Sequence, residues 1–320
     1  MERAQDLLQP LLDGHPRALA RAISWMENAH PEARELMALL WPHMGRAVVV
    51  GLTGAPGAGK STLTDQLARS LRAEGKKIGI LAVDPTSPFS GGAILGDRIR
   101  MSHISEDPGI FIRSMATRGA LGGLARATQD AIDLLDAAGC DIVLVETVGV
   151  GQDEVDVVSC VQTCIVVLIP GMGDEIQAIK AGIMEVADIF VINKADRDGV
   201  DKVEREIEGM KSLSSTRPWD PPVLRTVASH GEGIDGVLGK IREHGAWLRE
   251  HGGLEAKAME RAKLRFTSLL AEEASRRARE GAGKDRVERL IGAIATRHLD
   301  PYAAVAEVLA VNETIQNPGR

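Results

Sequence analysis

The segment from Gly54 to Ser61 reads G-A-P-G-A-G-K-S and fits the pattern G-x-x-x-x-G-K-[ST]. It lies between an apolar strand-like run, AVVVGLT, and a helical pattern that begins T-L-T-D-Q-L. Glycines permit a backbone that turns consecutive N–H groups toward one anion, and the following helix presents its free N–H groups and positive dipole end to the same anion. We therefore predict a polyphosphate-binding loop here.

Two side chains of this loop have chemistry suited to a nucleotide. We expect Lys60 to bridge the β- and γ-phosphates and the Ser61 hydroxyl to bind Mg²⁺. The alternative, a glycine-rich turn without a ligand, is disfavoured because strand, motif and helix occur together. The predicted nucleotide ligands of the loop are Gly57, Ala58, Gly59, Lys60, Ser61 and Thr62.

A second motif, Asn193-Lys194-Ala195-Asp196, follows the apolar run ADIFVI and matches N-K-x-D. The loop after such a strand lies at the carboxyl edge of a parallel sheet, where ligands bind. The Asp196 carboxylate can accept two hydrogen bonds, from the ring N–H and the exocyclic amine of guanine, whereas adenine offers no such pair of donors. We therefore predict that Asn193, Lys194 and Asp196 bind guanine, with a further backbone contact at Ala228.

Three acidic residues could complete a metal site. Asp84 closes the apolar run GILAV, Asp97 lies in the glycine-rich segment SGGAILGDRIRM, and Glu146 follows DIVLV at a position where Asp is more usual. Mg²⁺ prefers carboxylates, a hydroxyl and phosphate oxygens, so we predict a metal site of Ser61, Asp84, Asp97 and Glu146. An acidic residue in such a position can instead cap a helix or form a turn, and this alternative stays open for Asp97.

Alternating strands and helices must position these loops. Short apolar runs recur at AVVVGLTG, KKIGILAVD, DIVLVETVG, TCIVVLIPG, DIFVINKAD and PVLRTVAS, separated by helical patterns. They predict an α/β fold of the P-loop NTPase class, with a mostly parallel sheet covered by helices on both faces. We divide the chain into an N-terminal helical extension (1–44), a GTPase domain (45–240) and a C-terminal helical region (241–320).

The C-terminal helical region carries charged helix formers with apolar stripes, such as Leu264, Phe266 and Leu270. This pattern predicts short amphipathic helices that either pack on the domain or form a dimer contact. A helical tail outside a complete sheet favours the dimer contact, and we therefore expect a homodimer.

Bulk composition excludes several classes of protein. The 320 residues are 44% hydrophobic and 26% charged, and the net charge of −7 argues against binding to nucleic acid or a membrane surface. No run approaches the roughly 20 apolar residues of a membrane span, and the first residues lack the apolar core of a signal peptide. We expect a cytoplasmic protein in which Cys140, Cys160 and Cys164 are buried thiols, since no CxxC pair is present.

With these residues in place, the chain resembles the MeaB/ArgK family of methylmalonyl-CoA mutase-associated GTPases over nearly its whole length. The segments that carry the resemblance are GAPGAGKST, AVDPTSPFSGGAILGDRIRM, FIRSMATRG, DIVLVETVGVGQDE, PGMGDEIQAIKAG and ADIFVINKAD. Several of them lie outside the general GTPase motifs, which makes the resemblance specific for this family.

The resemblance implies an enzyme that binds GTP and GDP with Mg²⁺, hydrolyses GTP and forms nucleotide-dependent dimers. It also implies a chaperone of an adenosylcobalamin-dependent acyl-CoA mutase, which gates cofactor loading and protects or reactivates the mutase. Lys60, Asp84, Asp97 and Glu146 fall on the family's catalytic and Mg²⁺-linked positions. The mutase is left open, because methylmalonyl-CoA, isobutyryl-CoA, 2-hydroxyisobutyryl-CoA and ethylmalonyl-CoA mutases all suit such a GTPase.

The segment 173–188, with Gln177 and Lys180, resembles the additional switch through which the family communicates with its mutase. The alternative is that both residues are ordinary solvated helix positions. The sequence singles out no arginine that would stabilise the charge of the transition state. The candidates in or near the predicted switch region are Arg98, Arg100, Arg113 and Arg118.

Two other functions compete with the mutase chaperone. The first is a kinase that passes the γ-phosphate to a small molecule or protein, and it is disfavoured because the base motif is N-K-x-D and no acceptor pocket is evident. The second is a metal-delivery GTPase for nickel enzymes. Such proteins often carry His-rich or Cys-based metal sites, whereas the eight histidines here are scattered along the chain.

Overall fold

A computed structural model describes residues 3–84, 106–116, 123–147, 159–171, 186–213 and 218–316 of the chain. The chain forms two compact units, residues 1–254 and 255–320. All the described strands belong to the first unit, whereas the described part of the second unit is helical.

Seven strands form one sheet in the first unit, in the order β3-β2-β4-β1-β5-β6-β7. Every pairing between neighbouring strands is parallel. The strands are β1 (Val48–Gly54), β2 (Ile78–Asp84), β3 (Ile110–Ala116), β4 (Ile142–Thr147), β5 (Thr163–Leu168), β6 (Ile189–Ile192) and β7 (Val223–Arg225). Six of these strands lie within the predicted apolar runs, and the predicted α/β class is confirmed.

The apolar-run pattern does not predict the remaining strand, β3. Arg113 and Ser114 interrupt its run of apolar residues, and among the described strands it pairs only with β2, at the edge of the sheet. The Arg113 guanidinium reaches the helix that contains Ser24 and Glu27, where it donates hydrogen bonds to the Ser24 hydroxyl at 3.1 Å and the Glu27 carboxylate at 2.5 Å. A polar residue inside this strand is therefore paired with a carboxylate 86 residues away along the chain.

Helices cover both faces of the sheet. Alternate residues of a strand point to opposite faces, and Val49 belongs to one apolar cluster whereas Val50 and Leu52 belong to the other. The described helices are α1 (Ala4–Leu12), α2 (Pro16–Glu27), α3 (Ala33–Leu40), α4 (Lys60–Ala73), α5 (Gly123–Ala137), α6 (Val200–Leu213), α7 (Ile234–Glu250), α8 (Gly253–Ala282), α9 (Lys284–Ala295) and α10 (Pro301–Gln316). Helices α1–α3, α5 and α6 contribute to the first cluster, and α4 and α7 to the second.

A buried carboxylate fixes the entry to β1. Asp136 of α5 accepts hydrogen bonds from the backbone N–H groups of Gly45, Arg46 and Ala47, and its residue is only 7% exposed. A buried carboxylate must be hydrogen-bonded to offset its desolvation. Asp136 therefore holds the link between the N-terminal helices and the first strand in one conformation.

A second polar contact anchors α7 to the amino ends of β5 and β6. The buried His244 ring lies 2.9 Å from the Thr163 hydroxyl through Nδ1 and 3.4 Å from the Asp188 carboxylate through Nε2. Asp188 also accepts a hydrogen bond from the backbone N–H of Cys164 at 2.8 Å. These bonds fix the start of β5 and β6, and the opposite end of β6 leads into the N-K-x-D loop.

The three cysteines are buried and form no disulfide, as predicted. Burial raises the pKa of the Cys140 thiol from its ordinary value of about 9 to about 12. Since the thiolate is the reactive form, a buried and protonated thiol is inert.

We expect Cys140 to resist alkylation in the folded protein. N-ethylmaleimide at pH 8 should leave Cys140 essentially unmodified in the native state and label it fully in urea, as mass spectrometry of tryptic peptides will measure. The raised pKa also sets a pH dependence. The contribution of this thiol to stability is fully present below about pH 9 and is lost as pH rises toward 12, because the unfolded chain ionises first. Labelling of native Cys140 at the urea rate would contradict this expectation.

The second unit contains the remainder of the long helix α8, followed by α9 and α10. Helix α8 has 30 residues and a length of about 45 Å, so the prediction of short helices is wrong for this element. Among its described residues, this unit buries only Ala278, Leu290 and Ala304. No helix in the described part of the chain is long and apolar enough to cross a membrane.

Candidate active site

The loop between β1 and α4 depends on glycine at both ends. Gly54 has φ +136°, and a Cβ there would lie 2.1 Å from the carbonyl oxygen of Val167 in β5. Gly59 has φ +89°, and a Cβ there would lie 2.4 Å from Nδ2 of Asn193. Any other residue would force the loop away from β5 and from the base motif, so these glycines allow close packing as well as a tight turn.

The amino end of α4 is open to an anion. Gly59 is the N-cap residue and has no side chain with which to cap the helix. The Leu63 N–H donates to the Gly59 carbonyl at 2.9 Å, which leaves the N–H groups of Lys60, Ser61 and Thr62 without an acceptor within the helix. Three consecutive donors at the positive end of a helix dipole suit a phosphate group.

The Lys60 side chain lies inside the loop. Its Nζ donates hydrogen bonds to the carbonyl oxygens of Gly54 at 2.5 Å and Ala55 at 3.1 Å, and the residue is only 6% exposed. A buried ammonium group must be hydrogen-bonded to offset its desolvation. The charge is therefore held beside the N–H groups that begin α4, where it can attract a polyphosphate.

The structure brings Ser61 and Glu146 together. The Ser61 hydroxyl donates a hydrogen bond to Oε1 of Glu146 at 2.5 Å, and Glu146 at the end of β4 is buried. Asp84 is the last residue of β2, whose carboxyl end lies beside that of β4 in the register Ala82↔Glu146. The Asp84 side chain and the whole of Asp97 lie outside the described residues, so the structure places two members of the predicted metal set and the backbone of a third.

The buried Asn193 side chain joins three loops. Its Nδ2 donates to the Ala58 carbonyl at 2.9 Å, while its Oδ1 accepts hydrogen bonds from the Thr226 hydroxyl and the Ala228 backbone N–H, each at 3.1 Å. The phosphate loop and the loop after β7 are thus bonded to one side chain. In this structure the Ala228 backbone N–H donates to Asn193. The predicted contact between the Ala228 backbone and a base therefore remains a prediction.

Lys194 and Asp196 complete the base motif. Lys194 has φ +56°, in the left-handed region, and its Nζ donates to the Gly57 carbonyl at 2.7 Å. The backbone N–H of Ala195 donates to the Thr226 carbonyl at 3.0 Å. The turn leaves the Asp196 carboxylate exposed at the carboxyl edge of the sheet, where a base can reach it.

Arg113 is committed to a structural contact, because its guanidinium binds Ser24 and Glu27 of α2. The other candidates, Arg98, Arg100 and Arg118, lie outside the described residues, as do Gln177 and Lys180. The sequence analysis placed Ser61 and Glu146 in one site, and the two side chains do meet. It missed the contact between Lys194 and Gly57, because residue types alone do not show that these two loops meet. Thr226 could have been found from its position as a polar residue directly after β7.

Replacement of Asn193 should weaken nucleotide binding. In Asn193→Ala, the Ala58 carbonyl, the Thr226 hydroxyl and the Ala228 N–H each lose a buried partner, and one unsatisfied buried group costs about 1–3 kcal/mol. We expect the Kd values for GTP and GDP, measured by titration calorimetry, to rise by about 100-fold. Thr226→Val removes only one of the three bonds and should have a smaller effect. Equal affinity in Asn193→Ala and the parent protein would show that the three loops are held by other contacts.

A parallel sheet with a glycine-rich phosphate loop after its first strand and an N-K-x-D loop at the same edge defines a P-loop GTPase. The chain belongs to the family described as methylmalonyl Co-A mutase-associated GTPase MeaB, which matches residues 19–283. It is a GTP hydrolase that binds guanine nucleotides.

Individual relatives agree with this assignment. A Pyrococcus abyssi protein named "Putative GTPase" is 47% identical over 308 residues, which cover 95% of each chain. The mitochondrial methylmalonic aciduria type A homolog of Mus musculus is 38% identical over 281 residues, 82% of this chain and 68% of the relative. A crystal structure of an LAO/AO transport system kinase superposes with a TM-score of 0.70 and 28% identity over 98% of both chains.

Proposed function

We propose that this GTPase is the chaperone of an adenosylcobalamin-dependent acyl-CoA mutase, which gates cofactor loading and protects or reactivates the mutase. The family match over residues 19–283 carries the proposal, because that family is described as associated with methylmalonyl-CoA mutase. The mouse relative is named for methylmalonic aciduria, and this name also points to a link with methylmalonyl metabolism.

GTP hydrolysis would proceed by attack of water on the γ-phosphate. The new bond joins the water oxygen to phosphorus, the bond to the β,γ-bridging oxygen breaks, and the proton of water leaves with inorganic phosphate. Lys60 would exchange its bonds to the Gly54 and Ala55 carbonyls for phosphate oxygens, where its charge offsets the negative charge that builds up. The open N–H groups at the start of α4 would hold the phosphates in place.

Mg²⁺ is part of this proposal, and the residues present fit it. A hydroxyl and a carboxylate oxygen lie 2.5 Å apart at Ser61 and Glu146, and hard oxygen ligands of this kind are those that Mg²⁺ prefers. Ser61 and Glu146 would hold the ion, with Asp84 and Asp97 as the further candidates. A bound Mg²⁺ would neutralise part of the charge on the phosphates.

The base would bind at the loop after β6. Asp196 is the residue we propose to read the two donors of guanine, because its carboxylate is exposed at the sheet edge. Lys194 would flank the base, and the backbone at Ala228 would contribute a further contact. Asn193 would act mainly by holding the base loop against the phosphate loop.

A homodimer formed through the C-terminal unit is also proposed. Phe266 of α8 is 66% exposed and Tyr302 of α10 is 88% exposed, and further large apolar residues of these helices are exposed with them. Several large apolar residues exposed on the helices of one unit favour an interaction site there. We expect light scattering to give twice the monomer mass with a GTP analogue bound and the monomer mass for Phe266→Glu; a monomer in every nucleotide state would contradict the dimer.

The deciding experiment measures GTP and ATP hydrolysis with and without purified methylmalonyl-CoA mutase, while mutase inactivation is followed in the same tube. We expect GTP alone to be hydrolysed, the mutase to accelerate hydrolysis, and the mutase to lose activity more slowly. If the mutase changes nothing and is not protected, the chaperone role toward methylmalonyl-CoA mutase is wrong and the GTPase activity stands. With γ-labelled GTP, a labelled product other than inorganic phosphate would indicate a kinase.

A further inference from the structure

Arg113 is a charged residue on an apolar face of the sheet. Alternate residues of β3 share a face, and the neighbours of Arg113 on that face, Phe111 and Met115, pack in the first apolar cluster. The Arg113 guanidinium instead donates hydrogen bonds to Ser24 and Glu27 of α2. The Arg113 side chain is 26% exposed and the Glu27 side chain 11%, so this ion pair is largely shielded from water.

Stability alone does not explain this ion pair. Both charges lose hydration when they are shielded, and an apolar pair of similar volume is often at least as stable. The Arg113 Nε is buried and has no hydrogen-bond partner among the described residues. Glu27 is the last residue of α2, where the negative end of the helix dipole disfavours a carboxylate. An apolar pair would therefore join β3 to α2 at a lower cost in desolvation.

Strand β3 lies beside the strand that ends in a predicted metal ligand. It pairs with β2 along its whole length, from Ile78↔Ile110 to Asp84↔Ala116. On its other side β2 pairs with β4, which carries Glu146 of the same predicted metal set. Neighbouring parallel strands are joined by evenly spaced backbone hydrogen bonds. A displacement of β3 is therefore passed to the end of β2, where Asp84 lies.

Helix α2 gives this edge strand a firm support. It buries Leu19, Ala22 and Ile23 in the first apolar cluster, which also contains residues of α5 and β4. In the described sheet β3 has a neighbouring strand on one side only, so its position depends on contacts from helices more than that of a central strand does. The bonds from Arg113 to α2 supply such a contact.

We propose that Arg113 is a positioning residue for GTP hydrolysis. Together with Glu27 it sets the position of β3 and, through the ladder between β2 and β3, that of Asp84 at the carboxyl edge of the sheet. The Arg113 guanidinium stays bound to α2, so it acts through the strand and not on the nucleotide. The inference rests on the proposed metal site and does not depend on the mutase.

The test compares the same substitution at two ion pairs in the full chain. Arg72 of α4 binds the Asp107 carboxylate, ahead of the amino end of β3, through Nε at 3.0 Å and Nη2 at 2.9 Å. We expect Arg113→Met to lower kcat for GTP, and to raise the Kd for Mg²⁺ with a non-hydrolysable GTP analogue bound, each by about 10–100-fold. Arg72→Met should leave both values close to those of the parent, because this pair lies at the end of β3 away from the nucleotide loops.

The affinity for GDP without Mg²⁺ provides a second readout. The phosphate loop and the base loop follow β1 and β6, and neither of these strands pairs with β3. Calorimetry should therefore give similar Kd values for GDP in the parent protein, Arg113→Met and Arg72→Met. A lower melting temperature in Arg113→Met, with kcat and the Kd for Mg²⁺ unchanged, would show that the ion pair is purely structural and would overturn the proposal.

Glu27→Met separates positioning from direct contact with the nucleotide. If Arg113 acts through α2, Glu27→Met should lower kcat by a similar factor, and the double variant with Arg113→Met should lose little more. Arg113→Lys, which keeps the charge, should retain more activity than Arg113→Met. Parent-like kcat in Glu27→Met together with a loss in Arg113→Met would mean that Arg113 acts at the nucleotide, and the positioning role would be wrong. Glu27→Met also tests the pair if Arg113→Met does not fold.

Asp84→Asn distinguishes this inference from the metal site on which it rests. If Asp84→Asn keeps the parent's kcat and Kd for Mg²⁺, the proposed metal site is wrong at Asp84, and the positioning role fails with it. If Asp84→Asn loses both whereas Arg113→Met and Glu27→Met keep both, the metal site stands and only the positioning role is wrong. Losses in all three variants, with Arg72→Met unaffected, are the expected result.

Discussion

Asp196→Asn should exchange the base specificity of this GTPase from guanine to xanthine. The Asp196 carboxylate can accept hydrogen bonds from both donors on the guanine edge. An amide offers one acceptor and one donor. Its N–H group would face the exocyclic amine of guanine, and these two donors cannot form a hydrogen bond with each other. Xanthine has a carbonyl oxygen in place of that amine and would accept this hydrogen bond.

The expected effect is large, because a site built on hydrogen bonds rejects an analogue that leaves them unpaired. We expect kcat/KM for GTP to fall by roughly 10²–10⁴-fold in Asp196→Asn and kcat/KM for XTP to exceed that for GTP. Release of inorganic phosphate with each nucleotide will measure this. Asp198→Asn, two residues along the same exposed loop, is the matched control and should leave the preference for GTP unchanged. A variant at Asp196 that retains its preference for GTP would place guanine recognition elsewhere.

Features that are local in sequence could be predicted from the sequence. The glycine-rich loop, the N-K-x-D motif and the helical spacing of Leu7 and Leu11 each depend on residues within one or two turns of chain. Parallel strands gather their carboxyl ends at one edge, so the order of motifs along the chain was enough to predict that Lys60, Glu146 and Asn193 lie on one side of the sheet.

Contacts between distant residues could not be predicted in this way. Asn193 bonds to Ala58 across 135 residues, and Asp136 binds the N–H of Ala47 across 89 residues. The residue type identifies Asp136 as polar, but nothing in the sequence indicates which three backbone N–H groups donate hydrogen bonds to its carboxylate. Strand β3 and the length of helix α8 were missed for a related reason. Arg113 is paired by a residue of α2, and the length of α8 is not marked by one continuous apolar stripe.

The base loop, which contains Asn193 and Lys194, is hydrogen-bonded directly to the phosphate loop between β1 and α4. Asn193 donates to Ala58 and Lys194 donates to Gly57, so two consecutive residues of the base motif bind two consecutive residues of the phosphate loop. A displacement of either loop must break these bonds or move the other loop. Loss of a base contact is therefore expected to affect phosphate binding as well.

Lys60→Ala should abolish most GTP hydrolysis. The substitution removes the only side-chain charge that the described part of the phosphate loop holds, and it leaves the Gly54 and Ala55 carbonyls without their donor. A positioned charge at the phosphates acts mainly on the transition state, where negative charge moves onto the phosphoryl oxygens. We expect kcat to fall by about 10²–10³-fold, the loss found when one preorganised donor to a developing charge is removed, and GTP to lose more affinity than GDP.

Lys60→Arg separates charge from geometry. It retains a positive charge, but the buried site holds Nζ within 2.5 Å of one carbonyl and 3.1 Å of another, and a planar guanidinium does not fit the same position. We therefore expect Lys60→Arg to keep measurable nucleotide affinity and to lose hydrolysis. Single-turnover hydrolysis and melting temperature, measured together, distinguish a catalytic loss from unfolding. Activity within a fewfold of the parent in Lys60→Ala would show that the loop N–H groups and the metal suffice without this side chain.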